Sequence, residues 1–451
     1  MKRKNYQFLA AALGIIFVFS LGFGQIRRTH RNPSVNRQLV KIRAFNHGLP
    51  QRTPATRPPS DQVLVKFRQG ITTQHIDSTI SAYRAERLKR IPGLGIYQIR
   101  IAGDQSVKET LEIMRLNPDI VYAVPNHRAS ITMAPRDTLF DAQYALYNQG
   151  QSIGAPGSPQ GKLSADIKAT AGWEETRGSS DIVIAVLDTG VDLLHPDLTA
   201  KIVPGGYDFA NDDDDATDDN GHGTMAAGIA AADTDNNEGI AGVAWDCMIL
   251  PVKVMDDEGS GYYSWIIEGI RWATDNGADV INLSLGGDES DPAMEEALRY
   301  AYERGVVVVA SAGNDGDSVL YPAAYDAYCL AVAATDYNDI CPDWSNPGPQ
   351  VDVAAPGERI ISCVPTWFWG QDSLPYAWGY GTSFSAPHVA GQAALIKSIK
   401  PWLTPSEVMN IIRFTADDVN ADSLPGKDDQ LGHGRINLDK SLVPIKISNG
   451  N

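Results

Sequence analysis

The chain has 451 residues, 43% of them hydrophobic and 21% charged, which is ample for a large buried core and suggests two or three domains. Its net charge of −17 is unevenly placed: residues 1–130 hold 21 Lys and Arg against 7 Asp and Glu, a net of +14, and the remainder carries −31. An acidic body of that size repels nucleic acid and argues against a DNA-binding role. Opposite signs instead point to two folding units able to dock.

In chain order, Lys2-Arg3-Lys4 precedes an apolar run over 8–23 that ends in small residues around Gly22 and Gly24. This is the pattern of a signal peptide over residues 1–24, cleaved after Gly24, and it predicts a secreted protein. The alternative is a retained N-terminal membrane anchor. No cysteine follows the run, so a lipid anchor is not indicated. Residues 25–60, rich in Arg, Pro, Asn and Gln, read as a flexible basic linker. Residues 61–130 then show a strand at 62–67, a helix at 73–90, a strand at 95–101, a helix at 107–117 and a strand at 120–125. That order predicts a small α+β domain, short enough to need a partner surface.

Beyond residue 170 the pattern changes to nearly continuous apolar runs at 181–187, 278–285 and 305–310, separated by helical stretches at 261–276 and 291–304. Strands buried on both faces read this way. The expected fold class is therefore α/β, a three-layer αβα domain on a doubly wound parallel sheet over residues 137–445. Its four cysteines, Cys247, Cys329, Cys341 and Cys363, fit no zinc spacing. Either two disulfides, in any of three connectivities, or four buried thiols are consistent with them.

In an open α/β sheet, reactive groups gather at the carboxyl ends of the strands. Three segments meet that condition. Asp188-Thr189-Gly190 ends the first strand. His222 opens a run of small residues in Gly221-His222-Gly223-Thr224. Ser383 follows Gly381, which permits a strained turn, and precedes Pro387 at an early helical position; the serine thus sits at a helix N-terminus that favours a developing anion. Singly, these read as a turn aspartate, a structural histidine and a helix-capping serine. Jointly they supply a hydroxyl, the base it requires, and the carboxylate that fixes and charges that base.

The stretches Val186-Leu187-Asp188-Thr189-Gly190-Val191, Gly221-His222-Gly223-Thr224 and Gly381-Thr382-Ser383-Phe384-Ser385-Ala386-Pro387-His388 resemble, in this order, the three active-site signatures of the subtilase family. The resemblance covers residues 137–445, and residues 60–130 resemble the family's inhibitory propeptide. It implies a serine endopeptidase with Asp188, His222 and Ser383 as its triad, made as a precursor that cleaves itself between Ala134 and Asp137. Asn314, in Ser311-Ala312-Gly313-Asn314, is implied as the oxyanion donor. Ser284-Leu285-Gly286-Gly287 is implied as the strand that pairs with substrate and walls its P1 pocket.

Calcium is the implied cofactor. Seven carboxylates crowd the twelve residues 208–219, without EF-hand spacing. The segment resembles the calcium loop of thermitase-like subtilases, which implies Asp208, Asp213, Asp215 and Thr217 as ligands; a solvated acidic loop is the alternative. A second site is implied at Asp137, Asp197 and Asn236, with backbone oxygens of Asp233, Glu238 and Ile240. Polypeptide substrates and the chain's own N-terminal domain are the expected partners of a monomer, with no nucleic acid and no membrane after leader removal.

Three positions depart from the family pattern. Met225 stands in place of a second histidine and is read as core. Phe384 replaces a methionine beside the nucleophile and cannot form a sulfoxide, so peroxide-tolerant activity is expected. Leu320 replaces a glycine and is expected to make the P1 pocket shallower. His195 and His388 are read as structural. The rival readings are a catalytically inactive extracellular binding protein on the same fold, and an α/β-hydrolase esterase, which would need a GxSxG elbow and a triad order ending in His, neither of which Ser383 has.

Overall fold

The computed structural model describes residues 61–102, 106–126, 134–154, 158–368 and 374–443. The leader and the basic linker expected at the N-terminus lie outside these, as does the end of the α/β domain after residue 443. The chain divides into two compact units at about residue 131.

The smaller unit contains β1 (Gln62–Phe67), α1 (Thr73–Ala82), β2 (Ala85–Ile91), β3 (Ile96–Ile101), α2 (Val107–Arg115) and β4 (Ile120–Pro125). Its sheet runs β2-β3-β1-β4 with every pair antiparallel. Alternation in β1 and β3 turns Val63, Val65 and Phe67, and Tyr97, Ile99 and Ile101, onto Ile76 and Ile80 of α1 and Leu111 and Met114 of α2. Thr72 and Ser106 cap the two helices through their hydroxyls.

The helix predicted over 73–90 is a correction: it stops at Ala82. Arg84 turns the chain at a φ of 51°, and residues 85–91 return as a strand along β3, Ala85 opposite Ile101 and Ile91 opposite Ile96. Ala-Glu-Arg-Leu-Lys-Arg is a sequence of good helix formers, but the open edge of β3 offers a ladder that outweighs that weak preference.

The larger unit is the expected α/β domain. Its elements are α3 (Ala169–Gly172), β5 (Val183–Asp188), β6 (Tyr207–Asp208), α4 (His222–Ala231), β7 (Met248–Lys253), α5 (Tyr263–Asp275), β8 (Val280–Leu283), α6 (Pro292–Glu303), β9 (Val307–Ser311), β10 (Cys329–Thr335), β11 (Val351–Pro356), the hairpin β12 (Ile360–Cys363) and β13 (Tyr376–Gly379), α7 (Thr382–Ile399), α8 (Pro405–Thr415) and α9 (Leu438–Ser441). The seven-stranded sheet runs β11-β10-β9-β8-β5-β7-β6, parallel throughout.

Strand residues alternate between two cores. Ile184 and Val186 face α4 and α7, whereas Ala185 and Leu187 face α5 and α6. The winding changes direction at β5, whose neighbours are β7 on one side and β8 on the other. A crevice at the carboxyl end of such a switch point is where this architecture places its ligands.

All four cysteines are free thiols, so the disulfide alternative is not realised. Burial pushes the Cys247 thiol up to about 12 and that of Cys341 up to about 11, away from reactive thiolate.

Candidate active site

Asp188 is the last residue of β5 and is fully buried. One carboxylate oxygen, Oδ1, accepts the Thr189 N–H at 2.8 Å and meets His222 Nδ1 at 2.8 Å. The other, Oδ2, is buried without a hydrogen-bond partner among the described residues. The negative charge of this carboxylate favours a proton on the neighbouring ring. Burial works against the charged imidazole, yet the Asp188 charge and its hydrogen bond, helped by Asp218, outweigh it and raise the His222 pKa above its ordinary 6.5.

The approach of His222 to Asp188 depends on small residues. A Cβ on Gly223 would collide with the Gly190 carbonyl and come 3.0 Å from the Asp188 side chain, so α4 starts directly against the loop that follows β5. Asp218 stitches the two together. Its carboxylate accepts the N–H groups of Asn220, Gly221 and Thr224 and the hydroxyls of Thr224 and Thr189, while the Thr189 hydroxyl in turn accepts the Gly223 N–H at 3.0 Å. The buried ammonium of Lys253, at the end of β7, adds a second stitch by donating to the Thr189 carbonyl at 3.0 Å and the Asp219 carboxylate at 2.7 Å.

Ser383 is the second residue of α7, after Gly381 at a φ of 137° that only glycine adopts easily. Pro387 lies within this helix and has no N–H to offer the Ser383 carbonyl four residues back. Ser284, just past β8, fills the gap by donating its hydroxyl to that carbonyl at 2.8 Å, and buried Asn282 donates to the Ser284 hydroxyl at 2.9 Å. The side chain of Ser284 is therefore an anchor for Ser383, which its predicted place in the substrate strand did not suggest.

Asn314 follows β9. Its Oδ1 accepts the Thr382 N–H at 2.8 Å and the Thr382 hydroxyl at 3.0 Å, so the amide is oriented with Nδ2 as its remaining donor. The Phe384 ring lies edge-on to the His222 ring, 6.2 Å between centroids, which brings the segment carrying Ser383 beside the imidazole. Thus Asp188, His222, Ser284, Asn314 and Ser383 all gather at the carboxyl end of the sheet.

The profile of the subtilase family matches residues 179–434, over half of the chain. The chain belongs to the subtilase family. It is a serine-type endopeptidase with an N-terminal prodomain, since the profile of the fervidolysin N-terminal prodomain matches residues 52–126. This subtilase is 37% identical over 384 residues to a thermophilic serine proteinase of Bacillus sp. (strain AK1), covering 83% of this chain and 86% of that one. It is 43% identical over 276 residues to thermitase of Thermoactinomyces vulgaris, covering 61% and 93%. Among solved structures it resembles fervidolysin of Fervidobacterium pennivorans, a keratinolytic enzyme related to subtilisin, with a TM-score of 0.56, 30% identity and coverage of 85% of this chain and 60% of that one.

The remaining predicted residues fall into place around this subtilase site. Leu285, Gly286 and Gly287 lead away from β8, and Gly287 pairs with Tyr321. Leu320 is wedged between Gly286 and Gly313, where a Cβ would come within 2.9 Å and 2.8 Å of it. Met225 is buried core beside Phe384 and Ile229. His195 accepts the Asp197 N–H and reaches the Pro375 carbonyl, and His388, pushed down to about 4 by burial, hydrogen-bonds the Phe384 carbonyl; both are structural.

The two predicted calcium loops differ. Asp137 and Asp197 are buried and converge on the loop at 233–240: Asp137 accepts the N–H groups of Asp235 and Asn236, and Asp197 accepts Asn236 Nδ2, the Ile240 N–H and the Tyr376 hydroxyl. Burial raises both carboxyls, Asp137 to about 6, and Asp197 adds to the rise at Asp137. Two like charges held among neutral donors fit a hard dication that prefers oxygen. In the other loop, Asp208, Asp213 and Asp215 turn onto the amides of Ala210, Asn211, Asp215 and Thr217. No three acidic, His or Cys side chains form a metal-holding cluster at either loop or elsewhere among the described residues.

Proposed function

We propose that this endopeptidase cleaves polypeptides through an acyl-enzyme on Ser383, with His222 as base and Asp188 as its orienting carboxylate. The observation that carries the assignment is the 2.8 Å contact between His222 Nδ1 and a buried Asp188 at the rim where Ser383 lies in the first turn of α7. With Nδ1 held by Asp188, Nε2 is the atom that takes the Ser383 proton. The serine oxygen bonds to the scissile carbonyl carbon, and the carbonyl oxygen gains the negative charge. First-turn amides have no helical acceptor, so the Ser383 N–H is a donor for that oxygen, with Asn314 Nδ2 beside it; one such donor is worth about 3 kcal/mol. His222 then protonates the leaving amine, and water repeats the cycle to free the acyl group. Residues 284–287 receive the substrate backbone as an added strand.

The enzyme is secreted and made as an inactive precursor. The basic leader-like start, the prodomain match and a similar halolysin-like extracellular serine protease of Natrialba magadii support this reading. The basic prodomain inhibits and assists folding of the acidic domain until the enzyme cuts near Ala134–Asp137. Calcium bound at Asp137, Asp197 and Asn236, with the carbonyls of Asp233, Glu238 and Ile240, holds the loop behind α4; the loop with Asp208, Asp213, Asp215 and Thr217 is the weaker candidate. A fluorophosphonate probe should label the wild type and leave Ser383→Ala unlabelled, and that variant should accumulate at precursor length. Labelling that survives the substitution would overturn the nucleophile, and normal processing of the variant would overturn self-cleavage.

A further inference from the structure

The loop that carries His222 has two boundaries. On one, Asn220 Nδ2 donates to the Asp257 carbonyl at 3.1 Å, in the segment leading to α5 and to Tyr263, whose side chain faces Gly287 and the proposed substrate strand. The other comes from the connection between β12 and β13: Pro365 stands opposite Gly221, where a Cβ would lie 3.5 Å from its ring. Two residues on, Trp367 is held at its polar edge, with Nε1 donating to the Asp218 carbonyl at 3.1 Å.

Its backbone is fixed as well. The Thr366 N–H and hydroxyl donate to Asp192 Oδ2 at 2.7 and 2.8 Å, and the Asp192 N–H donates to the Thr224 hydroxyl of α4. The Phe368 N–H closes a turn onto the Pro365 carbonyl at 2.9 Å, with its ring 5.8 Å from that of Trp367. Even so, Trp367 remains 52% exposed, and Leu194, whose amide is held by the other oxygen of Asp192, is 81% exposed. A large apolar ring pinned at its N–H and backbone, with its face in solvent, is pre-organised to receive another apolar group, because little freedom remains to be lost on contact.

The chemistry says which group arrives there. On the reading that Ser383 is acylated and His222 protonates the departing amine, the acyl half of the substrate lies along residues 284–287. The half beyond the scissile bond must pass the imidazole on its way out. We propose that Trp367 is an aromatic platform for the leaving half of the substrate, selecting peptides with an aromatic or large aliphatic side chain just after the cut.

Two internally quenched peptides, identical up to the scissile bond and continuing with Phe-Leu or with Gly-Gly, test this on the mature enzyme. The wild type is expected to favour the Phe-Leu peptide about tenfold in kcat/KM, the scale of one apolar contact in an enzyme site. Trp367→Ala should bring that ratio close to one, and Trp367→Phe, which keeps a ring, should retain most of it. Taking the ratio within each variant cancels any general loss from loosening the Asp218 loop. A wild type that cuts both peptides equally, or a ratio unchanged in Trp367→Ala, overturns the platform and leaves the peptidase reading standing. A wild type that cuts neither peptide overturns that reading and the platform with it.

Discussion

Two helices, α4 and α7, begin at the same rim of the sheet, and both are buried along nearly their whole length by runs of Ala and Gly. Each follows a glycine at positive φ, Gly221 or Gly381. Their first turns are filled in opposite ways. The amides at the start of α4 point into the Asp218 carboxylate, which meets both their donors and the positive end of the helix. The first turn of α7 has no acidic residue, and its Thr382 amide goes to a neutral carbonyl oxygen of Asn314. The difference teaches how one architecture supports two jobs. Where the helix start is already neutralised, a base can be held steadily; where it is left uncharged, an anion formed during reaction finds donors waiting.

This contrast can be broken from either end. The largest effect is expected on the α4 side: Asp188→Asn removes the negative charge beside His222 and presents a wrong tautomer, so kcat should fall by about 10⁴. The wild-type rate should decline as pH drops through a value above 6.5, because the base must be neutral and its folded pKa is raised. In Asp188→Asn only burial remains as the main influence, so that acidic limb should move to lower pH; a pH–rate profile with an unmoved limb would contradict the pairing. On the α7 side, Asn314→Ala should lower kcat by about 10²–10³ with KM little changed. An equal rise in KM would instead make Asn314 a ground-state binder.

The smallest effect concerns stability and reaches α4 from behind. In protein stripped of metal, the ionised Asp137 is costly, since its folded pKa of about 6 lies above its ordinary value of 3.8. Stability should then be lost as pH rises between those values. Added calcium should restore several degrees of Tm above pH 6 and little at pH 4. A melting temperature indifferent to chelator at pH 8 would remove calcium from this loop.

Much of this was legible beforehand. The runs at 181–187, 278–285 and 305–310 became β5, β8 and β9 because continuous apolar sequence has few homes other than a sheet covered on both faces. The positions of Asp188, His222 and Ser383 were marked by small residues and glycines packed tightly around them. The strand β2 was not legible, because its residues prefer a helix in isolation and only pairing with β3 decides otherwise. Asp218 was hidden among seven carboxylates of the same loop, and nothing local separates the one that stitches α4 to Thr189 from those that face solvent. Thr382 and Lys253 act through partners 34 to 69 residues distant, and Asn282 reaches Ser383 only by way of Ser284, 99 residues before it, a kind of relation that spacing along the chain does not record.

The four unpaired thiols bear on where such an enzyme can work. The larger unit contains no sulfur bridge, so reducing agents that dismantle cross-linked proteins would leave this one whole.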